Sequence, residues 1–234
     1  MKFSIDRYIL QARFFPCMIS ALPLFVLAFF ASGDVQLKQL AQFLGSLKFY
    51  GGITLSVAAL YFYAQIIRFV AKLFEASHFT KAMGFPSTYL MTYADEKYSK
   101  SYKDKYRELI RRDFGMDLLD ETAEAENPDE AKKRLNEATK QVILRVKDGH
   151  LVMKHNVWYG FVRNVIGGAV FSLLFCSMNI VSGALILRSR NLVIMSSVLV
   201  IPYAFLLLFW KPLMKQNAEA YANQLFAEYF SEDR

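Results

Sequence analysis

Charged positions along this chain fall into blocks, separated by four stretches that carry no charge at all: 14–31, 49–67, 164–187 and 191–210. A helix needs about 20 apolar residues to cross roughly 30 Å of hydrocarbon, and a span that is not a closed barrel must be helical to satisfy its own backbone. The pattern predicts an all-α membrane protein: four transmembrane helices as two hairpins with a small helical cytoplasmic insertion. The expected spans are residues 13–31, 49–72, 157–187 and 191–211. The chain then divides into a first transmembrane hairpin (1–72), a cytoplasmic helical subdomain (73–155), a second hairpin (156–211) and a cytoplasmic amphipathic tail (212–234).

Within the blocks the pattern refines the elements. Pro16 falls in the expected first turn of the first span, where a missing N–H costs little; Pro23 falls in its interior and kinks it. Residues 35–48 place Val35, Leu37, Leu40, Phe43, Leu44 and Leu47 largely on one face, which reads as a short amphipathic helix on the outer membrane surface. In the insertion, Gly84-Phe85-Pro86-Ser87-Thr88 is a turn signal, and PSTYLMTY reads as a short strand or extended loop. DEKYSKSYKDKYRELIRRDF is strongly helical. MDLLDETAEAENPDE reads as an exposed acidic loop ending in a helix start, with Asn127 as N-cap, Pro128 first and Glu130 third. That helix closes at Asp148-Gly149. The tail breaks at Pro212 and resumes as a helix with Leu213, Tyr221, Leu225, Phe226 and Tyr229 on its apolar side.

The net charge of +7 raises the question of nucleic acid, and its location answers it. Residues 73–155 hold 15 basic and 15 acidic side chains, so the whole excess lies around the spans, on Lys2, Arg7, Arg13, Arg68, Lys72, Arg163, Lys211 and Lys215 among others. Basic flanks are retained on the cytoplasmic side. The expectation is a multi-pass protein of the cell inner membrane with both termini and the insertion cytoplasmic, and no direct DNA or RNA binding. Cys17 and Cys176 both fall within spans, and the three histidines are scattered, so no metal site, disulfide or cofactor is expected.

Three constellations stand out. Gly168, Ser172, Cys176 and Asn179 lie on one face of the third span at offsets of four, four and three. Small and polar residues at that spacing make either a helix-packing seam or, after oligomerisation, a wetted face. An amide at mid-membrane needs a partner in both cases. The stretch KYSKSYKDKYRELIRR carries Tyr98, Tyr102, Tyr106, Arg107, Arg111 and Arg112. It could hold phosphates while its rings stack on bases, or pack its tyrosines inward beside anionic lipid headgroups. The third is HNVWYGFVRN. Trp158, Tyr159 and Arg163 suit a membrane rim, whereas His155, Asn156 and Asn164 are less well explained by it.

GFPST near the end of the second span, together with HNVWYGFVRN, resembles a pattern of uncharacterised bacterial multi-pass membrane proteins that read G-G-x-P-T-T and E-N-x-x-Y-G-F-x-R-N. The resemblance covers roughly residues 70–168, and Phe85, Ser87 and His155 depart from it. It implies a setting in anti-phage defence operons. It also implies that Gly84, Pro86, Thr88, Asn156, Tyr159, Gly160, Arg163 and Asn164 form one joint, ligand-binding or structural, at the cytoplasmic mouth. No nucleophile elbow, P-loop or dinucleotide fingerprint is present, so the chain is not expected to be an enzyme. The expected function is a defence effector or sensor that receives a cytoplasmic signal and alters membrane permeability as a homo-oligomer. The alternative is a non-conducting adaptor that recruits a soluble partner. The expected partners are membrane lipid, further copies of the chain, and a soluble cytoplasmic protein or small nucleotide-type ligand.

Overall fold

The computed structural model describes residues 7–31, 49–79, 84–147 and 149–231. The amphipathic helix expected over 35–48 lies outside the described residues. Every regular element among those residues is helical: α1 (Arg7–Ile9), a π-helical turn (Leu10–Phe14), α2 (Phe15–Ala31), α3 (Phe49–Phe79), α4 (Pro86–Tyr89), α5 (Lys100–Phe114), α6 (Glu121–Glu126), α7 (Pro128–Val146), α8 (His150–Leu185), α9 (Arg190–Leu208) and α10 (Trp210–Ser231). Four stretches are long and apolar enough to cross a bilayer: Leu10–Phe30, Val57–Phe79, His150–Leu185 and Arg190–Leu208. The chain is an all-α membrane protein with four transmembrane helices.

Several boundaries differ from the sequence pattern for identifiable reasons. Among the described residues the first helix is already under way at Arg7, so Pro16 is interior and the π turn sits just ahead of it. The predicted strand or loop at 86–93 contains α4, because Pro86 fits the first position of a helical turn entered from an extended Phe85. Inside the predicted acidic loop, Asp120 accepts a hydrogen bond from Ala123 N at 2.9 Å and caps α6. α8 begins at His150, directly after Gly149, which places His155 and Asn156 within a helix rather than before one. The break expected at Pro212 occurs at Phe209, and Pro212 is accommodated in the first turn of α10.

The chain forms two compact units, Met1–Phe74 with Gly160–Trp210, and Glu75–Tyr159 with Lys211–Arg234. The first buries many small residues. Ala12, Cys17, Ala21, Ala71, Ala169 and Cys176 are buried, whereas Phe25, Phe29, Tyr61, Phe62, Leu174, Ile201 and Leu208 are exposed. Small residues at buried contacts, beside the buried Ile67, Ile166 and Leu192, with many large apolar side chains exposed, suit helices solvated by lipid, where close backbone approach supplies packing. Gly167 and Gly168 set the closest approaches: a Cβ at Gly167 would lie 2.6 Å from Ala71, and one at Gly168 2.8 Å from Ser20.

The second unit has a conventional core. Tyr106, Leu109 and Ile110 of α5, Leu135, Ala138 and Val142 of α7, and Leu225, Phe226 and Tyr229 of α10 are all buried together. Phe226 is fully buried and meets Tyr106 edge-on at 5.6 Å. Asp113 ties α5 to α10 by accepting from the Tyr229 hydroxyl at 3.0 Å, and Arg112 beside it holds its carboxyl below the usual range. The tail is therefore part of this core. Phe226→Ala should cost about 3–5 kcal/mol, measured as a shift of the denaturation midpoint in detergent. A cost under about 1 kcal/mol would place α10 outside the core.

Candidate functional site

Backbone chemistry in the first span explains the polar face of the third. A proline cannot donate to the carbonyl four residues before it, so Pro16 leaves Ala12 O and Pro23 leaves Ile19 O without their usual α-helical partner. In hydrocarbon no water can replace that donor. Asn164 Nδ2 of α8 donates to Ala12 O at 2.6 Å, and the Tyr203 hydroxyl of α9 donates to Ile19 O at 2.7 Å. Around these two bonds the same helices are stitched further. Ser20 Oγ donates to Gly168 O at 3.1 Å, Ser172 Oγ to Ser20 O at 3.1 Å, and Asn179 Nδ2 to Pro23 O at 2.8 Å. Tyr63 of α3 joins at Ser20 Oγ, 2.5 Å away.

Gly168, Ser172, Cys176 and Asn179 thus form a seam within one chain, with Ser172, Cys176 and Asn179 fully buried. Of the two readings of this face, the packing seam describes these contacts, with α2 lying against it. In this unit Asn164 Oδ1, Asn179 Oδ1 and Ser196 Oγ are among the polar atoms buried with no hydrogen-bond partner among the described residues. The exposed hydroxyls of Ser177 and Ser197 bond back to the carbonyls four residues earlier, so they present no free donor to lipid.

Of the residues expected in one joint, Gly84, Pro86, Thr88, Asn156 and Tyr159 belong to the second unit, and Gly160, Arg163 and Asn164 to the first. Gly84 takes φ 99° and donates its N–H to Phe79 O at 3.0 Å, with the Lys132 stem lying across it. Pro86 starts α4, and Thr88 is buried. The segment is held to α7 by Thr139 Oγ1, which donates to Ser87 O at 2.9 Å. Tyr159 donates to Glu75, Asn164 goes to Ala12, and Asn156 and Arg163 lie half-buried on α8.

On the basic-aromatic helix, the inward-packing reading describes the tyrosines. Base stacking needs free ring faces, and Tyr102 is stacked by Tyr98 at 4.6 Å and by Phe230 at 4.3 Å. Tyr106 is in the core, and the Tyr98 hydroxyl donates to Asn223 at 2.7 Å. Arg111 and Arg112 are paired with Asp117 and Asp113. Arg107 is committed inward. It bonds Leu119 O at 2.9 Å, Met91 O at 3.1 Å and Glu124 at 2.7 Å, and lies 3.9 Å from the centre of the Tyr93 ring. Burial, and then the hydrogen bond to Asp104, pushes the Tyr93 phenol up to about 12.

Two clefts open beside this network. One, of about 610 Å³, is lined by Thr92, Tyr93, Glu121, Glu124, Asp129 and Lys132, and the other, of about 380 Å³, by Phe79, Phe85, Thr88, Asp129, Lys132 and Lys133 among others. Their lining carries both acidic and basic side chains over a mostly apolar surface. No cluster of His, Cys, Asp or Glu among the described residues has the geometry to hold a metal.

Comparison with protein families, characterised proteins and solved structures finds no match to this chain.

Glu75 is the residue that sequence pattern passed over. It follows Ile67 and Ala71 at steps of four on the buried face of α3, and is itself 8% exposed. The periodicity was available, but a single acid disappears into a window average of hydropathy. Tyr203 and Ser20 were passed over because nothing in their own spacing marks them; only the two prolines do. For the inward network, Arg107→Ala should destabilise the second unit by about 3–5 kcal/mol by stranding the Glu124 carboxylate, whose side chain is 7% exposed. Replacing both partners by Met should recover most of that loss in a denaturation series. Equal loss in the single and double variants would mean the pair carries no coupling.

Proposed function

We propose that this is a bacterial inner-membrane sensor-effector with both termini cytoplasmic, in which the second unit receives a signal and the membrane unit answers by changing permeability. The setting, anti-phage defence, comes from the sequence resemblance. The observation that carries the mechanism is the sharing of helices. α3 and α8 run unbroken through residues of both units, passing from one to the other after Phe74 and after Tyr159. A rigid helix conveys displacement along its axis, whereas a flexible linker absorbs it. The clefts around Lys132 are where a small ligand would enter, and the exposed faces of the second unit are where a soluble partner would bind.

A second reading, a non-conducting adaptor, is favoured by the polar groups of the spans, which turn inward and leave an apolar surface to lipid. The two are separated by membrane potential, followed with a voltage-sensitive dye in cells that express the protein with its neighbouring genes. The expected result is a fall in potential that a four-residue Gly/Ser insertion after Phe74 abolishes without loss of membrane insertion. An unchanged potential, with a soluble protein drawn to the membrane, would install the adaptor reading instead.

A further inference from the structure

We infer that α2 is an occluding strap: it keeps the polar face of α8 covered, and its release is the conformational switch of the membrane unit. The inference rests on the sensor-effector reading for its purpose and on the seam for its evidence of mechanism. Most cross-helix bonds of that face run to one helix, while Tyr203 of α9 meets Ser172 and packs on Cys176 at its edge. Asn164 is held at Ala12, Gly168 and Ser172 at Ser20, and Asn179 at Pro23, all within the π turn and α2. Without α2 the face would present two amides, a hydroxyl and a glycine-lined groove in succession along α8.

The attachment suits release. It consists of individually weak side-chain bonds to carbonyls, made to a helix whose own ladder is interrupted by a π turn and two prolines. The far side of α2 carries exposed Leu22, Phe25 and Phe29, so it is covered by protein on one side only. The closed arrangement is also under-satisfied. Asn164 Oδ1, Asn179 Oδ1 and Ser196 Oγ have no partner among the described residues, and buried polar atoms of this kind call for an explanation. A permanently sealed seam has no use for that spare capacity; an alternative state in which water reaches the row fills it.

The switch is read by thiol accessibility, with Cys17→Ser and Cys176→Ser as background and Ser172→Cys as the sole thiol. A charged methanethiosulfonate reagent modifies thiols that water reaches. Ser172→Cys alone should be unreactive, and adding Asn164→Ala and Asn179→Ala should raise its rate at least tenfold. Ser177→Cys, on the lipid side, serves as the control for folding and should stay unreactive in the same variants. Unreactive Ser172→Cys in the released variant overturns the strap, and so does equal reactivity at both positions, which would mean that the bonds only hold the fold together. Membrane potential is followed in parallel. Selective reactivity with unchanged potential keeps the strap and removes the effector reading, so the two fail separately.

Discussion

Two backbone carbonyls, stranded by proline in a span with no water to solvate them, set the terms for the membrane unit. A carbonyl without a donor in hydrocarbon is unfavourable, and Ala12 O and Ile19 O find donors on other helices. Asn164 and Tyr203 supply them. For those donors to reach, the helices must lie close, and small residues stand at the closest approaches, while Ile67, Ile166 and Leu192 fill the rest of the interior and Phe25 and Phe29 face outward. Gly167 and Gly168 make the approach sterically possible, with Ala71 and Ser20 already within contact distance of their missing side chains.

The balance of these effects explains how a seam can be both obligatory and separable. Cross-helix bonds between side chains in membranes average about 0.6 kcal/mol, since the separated helices also find partners. Five such bonds therefore stabilise the seam by only a few kcal/mol, a scale that a binding event elsewhere can match. The second unit has no such freedom. Its core of Tyr106, Phe226 and Tyr229, and the buried Arg107–Glu124 pair, depend on excluding water from large surfaces.

Much of this was legible in the chain. Charge-free windows located the four spans because hydrocarbon tolerates so few alternatives, and Asn127-Pro128 marked the start of α7. The face of α8 was also legible, since offsets of three and four fix which side chains point together. Its partner was not, because periodicity names a face and never what covers it. The tyrosines of α5 were ambiguous for the same reason: a stripe that packs inward and one that stacks on a ligand have identical spacing. α6 was hidden by its acidic content, which reads as a loop until Asp120 is recognised as a cap. The prolines did point to positions 12 and 19, four residues upstream, but no rule in the sequence identifies a donor 152 residues away.

The central claim is that Asn164 acts on a carbonyl that Pro16 has stranded, and a double-mutant cycle measures that link. Pro16→Ala restores a backbone donor for Ala12 O, so the loss of the Asn164 amide should then matter less. Unfolding of Asn164→Ala, Pro16→Ala and the double variant in detergent should show a coupling of about 1 kcal/mol, with the Asn164 substitution milder in the Pro16→Ala background. Costs that simply add would contradict the account, because Asn164 would then be serving something other than the proline.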